Sequence, residues 1–177
     1  MRWYFLLVAA VAVERLVELV VSRRNLAWSL ARGGSVHGTG HWAFMVVLHT
    51  GLLVGAVVEV AVADRPFLPW LGWPMLGLVL ASQALRWWCI RTLGPRWNTQ
   101  VVVVPGLPLV RSGPYRVLPH PNYVAVVVEG FALPMVHTAW VTAVVFTALN
   151  LPLLAVRIRA EEAAMAAAVA APAAPPR

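Results

Sequence analysis

Residues 112–123 form the part of the chain whose residue types and spacing could do chemistry. This segment, from Ser112 to Tyr123, contains one histidine, two tyrosines and three prolines, and it lies between two long apolar runs. Because prolines lack a backbone N–H and fix φ, the segment cannot be helical throughout. Irregular backbone at membrane depth is tolerated only where it is buried in protein or lines a wet cavity. We therefore expect residues 112–123 to form a functional site.

Two charged residues after the last apolar run are candidates for the same site. Arg157 and Glu161 are four residues apart, so a helix places them on one face. An arginine at this position could bind a carboxylate through two parallel hydrogen bonds. Taken alone, Arg157, Arg159, Glu161 and Glu162 fit the solvated end of a helix equally well.

Three sequence elements, in this order, resemble the isoprenylcysteine carboxyl methyltransferase family and its bacterial relatives. They are Ser-Gly-x-Tyr at 112–115, His-Pro-x-Tyr at 120–123, and Arg-x-x-x-Glu-Glu at 157–162 after an apolar hairpin. The resemblance covers residues 96–165. It implies an integral membrane methyltransferase that uses S-adenosyl-L-methionine, whose methyl group is already activated, so the protein mainly positions the reactants and excludes water.

The resemblance also implies roles for individual residues. Arg157 would be the catalytic residue, which orients the acceptor. Cofactor binding would fall to the start of a helix, a covering segment and one glutamate. These residues are Gln100, Leu107, Pro108, Leu109, Val110, Tyr115, His120, Pro121, Asn122, Tyr123 and Glu161.

Two positions depart from the family pattern. Pro119 stands where the family commonly has arginine, and Ala125 stands where glycine is frequent. Because this cation is missing, the resemblance implies the substrate of the eukaryotic members less strongly for this chain. The acceptor is therefore left open between an isoprenylcysteine-type carboxylate and the acidic hydroxyl of a lipophilic polyketide.

Charged residues also lie inside the apolar runs. Glu129 follows Asn122 by seven residues and so lies on a similar helix face, which makes it a candidate for binding the acceptor. A pairing of Glu129 with Arg86 is an equally good interpretation. Arg15 and Glu18 are three residues apart and are expected to pair with each other.

The composition indicates an integral membrane protein. Of 177 residues, 60 % are hydrophobic and 12 % are charged, and the mean hydropathy is +0.75. The formal net charge is +7, but the arginines lie between apolar runs, which fits the positive-inside rule better than nucleic-acid binding. A single cysteine, Cys89, excludes an internal disulfide. No metal site is expected, because glycines between His37 and His41 argue against a helical zinc pair.

Five apolar runs predict an all-α membrane protein with about five transmembrane helices. The runs are 3–21, 42–63, 71–93, 122–136 and 140–156. The last two would form a short hairpin, and the connections at 21–41 and 94–117 would be loops, extended at 101–104. The predicted divisions are a three-helix bundle at 1–93, a methyltransferase core at 94–165 and a disordered tail at 166–177.

The arginines and tryptophans predict the orientation. With the N-terminus outside, most arginines between the runs are cytosolic, whereas Arg2 and Arg65 lie outside. We expect a protein of the bacterial inner membrane, with a cytosolic cofactor pocket. Its expected partners are the bilayer and a lipophilic or lipidated acceptor, and no nucleic acid.

Two other functions stay open at this point. Methylation of a lipid amine needs a proton acceptor, for which Glu129 or Glu161 would serve. A small transporter or membrane scaffold would bind no cofactor.

Overall fold

The computed structural model describes residues 1–170, apart from the side chains of residues 39, 41, 169 and 170. Five α-helices make up most of this part: α1 (Arg2–Leu30), α2 (Thr39–Val62), α3 (Pro69–Leu93), α4 (Pro121–Met135) and α5 (Trp140–Ala170). Two short strands, β1 (Ser35–His37) and β2 (Val101–Val103), pair antiparallel, with Val36 opposite Val102. The predicted helical architecture is confirmed, with a small β-ribbon added to it.

The connections between the helices meet at two opposite ends of the bundle. At one end, His137 Nδ1 donates to the carbonyl oxygen of Arg65 at 2.8 Å, which ties the α4–α5 turn to the α2–α3 turn. At the other end, the Asn25 side chain donates to the carbonyl of Trp97 at 2.7 Å. We call this second end, which comprises residues 22–37, 94–120 and 157–165, the cleft end.

Two helices are long and apolar enough to cross a membrane. The qualifying stretches are Trp42–Val62 in α2 and Trp140–Ala168 in α5. Large apolar side chains on α2 face outward, among them Phe44 and Val47, which are 69 % and 71 % exposed. Contiguous outward-facing apolar surface is suited to hydrocarbon rather than to water.

A buried group of charged side chains joins α1, α3 and α4. Glu129 is 5 % exposed and accepts a hydrogen bond from Arg86. Arg15 lies 3.4 Å from Glu129 and 2.7 Å from Glu18. The predicted pairing of Arg15 with Glu18 is confirmed, and so is the alternative that pairs Glu129 with Arg86. We call Arg15, Glu18, Arg86 and Glu129 the buried ion group.

The expectation of a short final hairpin is wrong for its second helix. α4 has 15 residues, but α5 has 31 and passes through Asn150 and Pro152. A proline removes one helical hydrogen bond, and neighbouring helices compensate for that loss in membrane helices. Asn150 is buried against the bundle. α5 also enters the segment expected to be disordered, 166–177, of which residues 171–177 lie outside the described residues.

The two connections expected to be loops are partly regular structure, because α1 continues to Leu30 within the first and each connection contains a strand. β1 lies within 21–41 and β2 within 94–117, because each strand supplies the backbone hydrogen bonds that the other needs. The helices also interleave along the sequence, since α3 packs chiefly on α4, and α2 packs on α5. Segments 1–93 and 94–165 therefore share one packed bundle.

Substitution of Gly130 by alanine should destabilise the contact between α4 and α5. A Cβ atom at Gly130 would lie 2.0 Å from Cε1 of Phe146, so the helices would have to move apart. We expect Gly130→Ala to lower the free energy of unfolding by about 1–3 kcal/mol, measured by thermal unfolding in detergent. The matched control is Gly77→Ala in α3, where a Cβ meets nothing within 4 Å. Equal stability of the two variants would contradict this packing.

Candidate active site

A cleft of about 100 Å³ opens at the cleft end of the bundle, between the α3–β2 connection, the start of α4 and the last turns of α5. Its walls include most of the predicted site residues. Those lining it are Gln100, Tyr115, His120, Asn122, Tyr123, Arg157 and Glu161. Residues far apart in the sequence, from 100 to 161, are thus brought to one place.

The Ser-Gly-x-Tyr motif forms a tight turn that places Tyr115 in the cleft. Gly113 has φ +54°, and a Cβ there would lie 2.6 Å from Thr92 Oγ1, so only glycine fits. The N–H of Tyr115 donates to the carbonyl of Ser112 at 3.2 Å and closes the turn. Burial, and secondly the nearby Cys89 thiol, raises the pKa of Tyr115, so its hydroxyl is protonated at neutral pH.

The His-Pro-x-Tyr motif starts α4. Pro121 occupies the first turn, where its missing N–H costs nothing, and His120 is the capping residue. The imidazole of His120 stacks on the ring of Tyr123 with 5.4 Å between centroids, and its Nε2 lies 3.4 Å from Glu162. This helix start turns Asn122 and Tyr123 toward the cleft.

Tyr123 links Arg157 and Glu161 across the cleft. Arg157 Nε donates to the Tyr123 hydroxyl oxygen at 2.9 Å, and that hydroxyl donates to Glu161. The guanidinium also lies 5.6 Å from the centroid of the Tyr123 ring and 3.4 Å from Met45 Sδ of α2. As predicted, Arg157 and Glu161 lie on one face of α5, and both line the cleft.

The charge of Arg157 is nearly buried and lacks a carboxylate partner. Its exposed fraction is 6 %, and none of the ion pairs among residues 1–170 includes it. The Glu161 carboxylate reaches Arg157 only through the Tyr123 hydroxyl, which leaves the guanidinium without a direct ion pair. Arginine binds carboxylates and related anions in a fork geometry. The cleft is therefore suited to an anionic oxygen beside Arg157.

Further polar atoms in the cleft walls lack partners among the described residues. They are the Nε1 donor of Trp97 and the Oδ1 acceptors of Asn98 and Asn122. Buried polar groups are ordinarily hydrogen-bonded. These three atoms are themselves buried, so a ligand in the cleft would reach them only after neighbouring side chains move. Sequence reasoning missed Trp97 and Asn98 as site residues. Their one signal is their position in the short segment between the third apolar run and the predicted extended stretch at 101–104.

The structure leaves several predicted site residues outside the cleft walls. The predicted covering residues, Leu107, Pro108, Leu109 and Val110, lie on a surface loop beside the cleft. Arg96 Nη1 donates to the Pro108 carbonyl at 2.6 Å, which ties this loop to the rim. Pro121 is buried beneath the cleft. Glu129 belongs to the buried ion group and borders a second, smaller cavity with Arg15, Arg86 and His49.

The fold and the cleft define a small helical protein with apolar outer faces and a polar site at one end. The family model of the isoprenylcysteine carboxyl methyltransferase family matches residues 75–167, and the chain belongs to this family. Membership implies a methyltransferase, and together with the two apolar helices it indicates a membrane protein.

Two curated bacterial proteins are similar over nearly their whole lengths. The uncharacterized protein YpbQ of Bacillus subtilis (strain 168) is 36 % identical over 163 residues, which are 92 % of this chain and 96 % of YpbQ. An uncharacterized protein of Haemophilus influenzae is 26 % identical over 160 residues, with 89 % and 91 % covered. No solved structure matches the chain.

Substitution of Gly113 by alanine should destabilise the protein more than substitution of Gly106 by alanine. Both have positive φ, so alanine costs about 1–2 kcal/mol at either position. At Gly113 the added Cβ also meets Thr92, whereas at Gly106 it meets nothing within 4 Å. We expect Gly113→Ala to have the lower unfolding midpoint in detergent. A lower midpoint for Gly106→Ala would contradict the described turn.

Proposed function

We propose that this protein transfers a methyl group from S-adenosyl-L-methionine to a carboxylate or an acidic hydroxyl of a lipid-like acceptor. One observation supports this most strongly. In the site that the family resemblance predicts, Arg157 is nearly buried and is hydrogen-bonded to Tyr123. It makes no direct ion pair with a carboxylate among the described residues. An acceptor with an anionic oxygen would satisfy it.

The residues present fit S-adenosyl-L-methionine, which the family uses in general. This molecule has amino groups that donate hydrogen bonds, and carboxylate and ring nitrogen atoms that accept them. The unpartnered acceptors of Asn98 and Asn122, and the donor of Trp97, would complement those groups once the cleft has widened and exposed them. Glu161 and Gln100 add polar groups, and the stacked rings of His120 and Tyr123 offer a flat apolar face.

The cleft must widen to admit such a ligand. Its volume is about 100 Å³, whereas pockets for drug-sized ligands hold roughly 300–1,000 Å³. The surface loop with Leu107, Pro108, Leu109 and Val110 lies next to the cleft and is the segment that we propose to move and cover the cofactor.

When bound, S-adenosyl-L-methionine supplies an electrophilic methyl carbon on a sulfonium. Arg157 would orient the anionic oxygen of the acceptor, and the apolar walls Val101–Val103 would exclude water. A carboxylate acceptor needs no base. An acidic hydroxyl must lose its proton, and Glu161, hydrogen-bonded to Tyr123, is the carboxylate within the cleft that could take it. The buried charge of Arg157 disfavours a cationic amine as the acceptor.

We further infer that the five helices cross the bacterial inner membrane with the N-terminus outside and the cleft facing the cytosol. Arginines are concentrated at the cleft end, and tryptophans occur at both ends of the bundle, as the positive-inside rule and aromatic belts predict. Met45 of α2 contacts Arg157, and the outer face of α2 is apolar. A lipophilic acceptor could therefore reach Arg157 from the bilayer.

Glu161 should be required for cofactor binding, whereas its neighbour should not. We expect wild-type protein in detergent to bind S-adenosylhomocysteine saturably in calorimetry. Glu161→Gln should weaken binding by about tenfold or more, because a hydrogen bond to a charged group contributes roughly 1.5–3 kcal/mol. The matched control, Glu162→Gln, changes an exposed carboxylate and should bind nearly as wild type. Well-folded wild type that does not bind would refute the proposed function.

Arg157 should be required for methyl transfer to a lipid acceptor. With radiolabelled S-adenosyl-L-methionine and bacterial lipid extract, Arg157→Gln should lose label transfer by about 100-fold or more, as expected when a charged partner of a buried anion is removed. Arg159→Gln alters an exposed arginine on the same helix and should retain transfer. Release of the label by mild base would identify a carboxyl ester, whereas resistance would indicate an ether or an N-methyl product. Full activity of Arg157→Gln would contradict the proposed role.

A further inference from the structure

The N-terminal helix holds one wall of the cleft, although it lies outside the residues that the family model matches. That match begins at residue 75, after α1, β1 and α2. Asn25 of α1 donates through Nδ2 to two backbone carbonyls of the α3–β2 connection. The distances are 2.7 Å to the Trp97 oxygen and 3.2 Å to the Gly94 oxygen.

A second α1 side chain, Ser22, binds the same connection two residues further on. Its Oγ accepts a hydrogen bond from the N–H of Thr99 at 2.9 Å and lies 2.9 Å from Thr99 Oγ1. Ser22 and Asn25 are three residues apart and so lie on one helix face. Residues 97–100 belong to no helix or strand. The two α1 side chains therefore supply backbone hydrogen bonds that a helix or strand would otherwise provide.

The anchored segment includes two of the three unpartnered polar atoms of the cleft. Trp97 Nε1 and Asn98 Oδ1 belong to consecutive residues between the Gly94 carbonyl bound by Asn25 and the Thr99 N–H bound by Ser22. Their positions therefore depend on a backbone that is fixed on both sides by α1. β2 follows directly and is paired with β1, which fixes the continuation of the same wall.

We propose that Asn25 and Ser22 are positioning residues for the ligand cleft. By binding the backbone at 94, 97 and 99 they fix Trp97 and Asn98 where these side chains can bind the ligand. The identity of that ligand as S-adenosyl-L-methionine rests on the proposed function. The anchoring itself does not, and it can be measured without any ligand.

The test compares two disruptive variants with two matched controls. Asn25→Leu keeps the branching and the number of non-hydrogen atoms but removes the amide donors, and Ser22→Ala removes the hydroxyl. Ser22→Thr restores a hydroxyl at the same position. Ser29→Ala removes a buried hydroxyl further along α1 that has no hydrogen-bond partner among the described residues.

The first measurement is hydrogen exchange of the amides at 97–100 in ligand-free protein in detergent. We expect faster exchange in Asn25→Leu and Ser22→Ala, and rates near wild type in Ser22→Thr and Ser29→Ala. The second is calorimetry with S-adenosylhomocysteine, in which Asn25→Leu should bind about tenfold more weakly because hydrogen bonds that order the wall are lost. The unfolding midpoint of each variant is measured as well, so that a general loss of stability is separated from a local loss of anchoring.

Each outcome bears on a different claim. Unchanged exchange in Asn25→Leu and Ser22→Ala would overturn the anchoring. Faster exchange with unchanged affinity would overturn the positioning role and leave a purely structural contact. Wild type that fails to bind would refute the proposed function, while the exchange rates would still decide the anchoring. If Asn25→Leu does not fold, the Ser22→Ala and Ser22→Thr pair decides in its place.

Discussion

The ion pair between Arg86 of α3 and Glu129 of α4 is the interaction on which the arrangement of the bundle depends. Both side chains are almost fully buried, and Arg15 and Glu18 of α1 complete the group. Removal of one partner from a buried pair costs about 3–5 kcal/mol, because the other charge is left uncompensated. These four charges can pair with one another only if α1, α3 and α4 pack together at the same position along the bundle axis. The buried ion group therefore favours these three helices as neighbours.

The fixed position of α4 accounts for the position of the cleft. α4 is only 15 residues long, about 22 Å at 1.5 Å per residue, and Glu129 anchors its middle while Tyr123 lies less than two turns earlier. Tyr123 in turn contacts Arg157 and Glu161 of α5. α1 serves both regions, since Arg15 belongs to the buried ion group and Asn25 binds the wall of the cleft. α1, which carries none of the three family motifs, thus helps to shape the cleft.

The sequence predicted those features that depend on local spacing. The apolar runs predicted the positions of the five described helices but not the ends of α1 and α5, and the i,i+4 spacing placed Arg157 and Glu161 on one face. It failed where distant segments decide the outcome. The pairing of β1 with β2 joins segments that are far apart in the sequence, and the lack of a partner for Trp97 Nε1 among the described residues depends on packing around the cleft. The fifth apolar run, 140–156, predicted a short helix, but α5 extends to Ala170 with Pro152 inside it.

The most direct test of the central claim is to locate the cofactor on the protein. Ultraviolet cross-linking of radiolabelled S-adenosyl-L-methionine to the detergent-purified protein, followed by peptide mapping, would do so. We predict saturable labelling, competed by S-adenosylhomocysteine, in peptides that contain residues 94–103, 115–123 or 157–165. Labelling that is not competed, or that maps to the opposite end of the bundle, would contradict a methyltransferase site in this cleft.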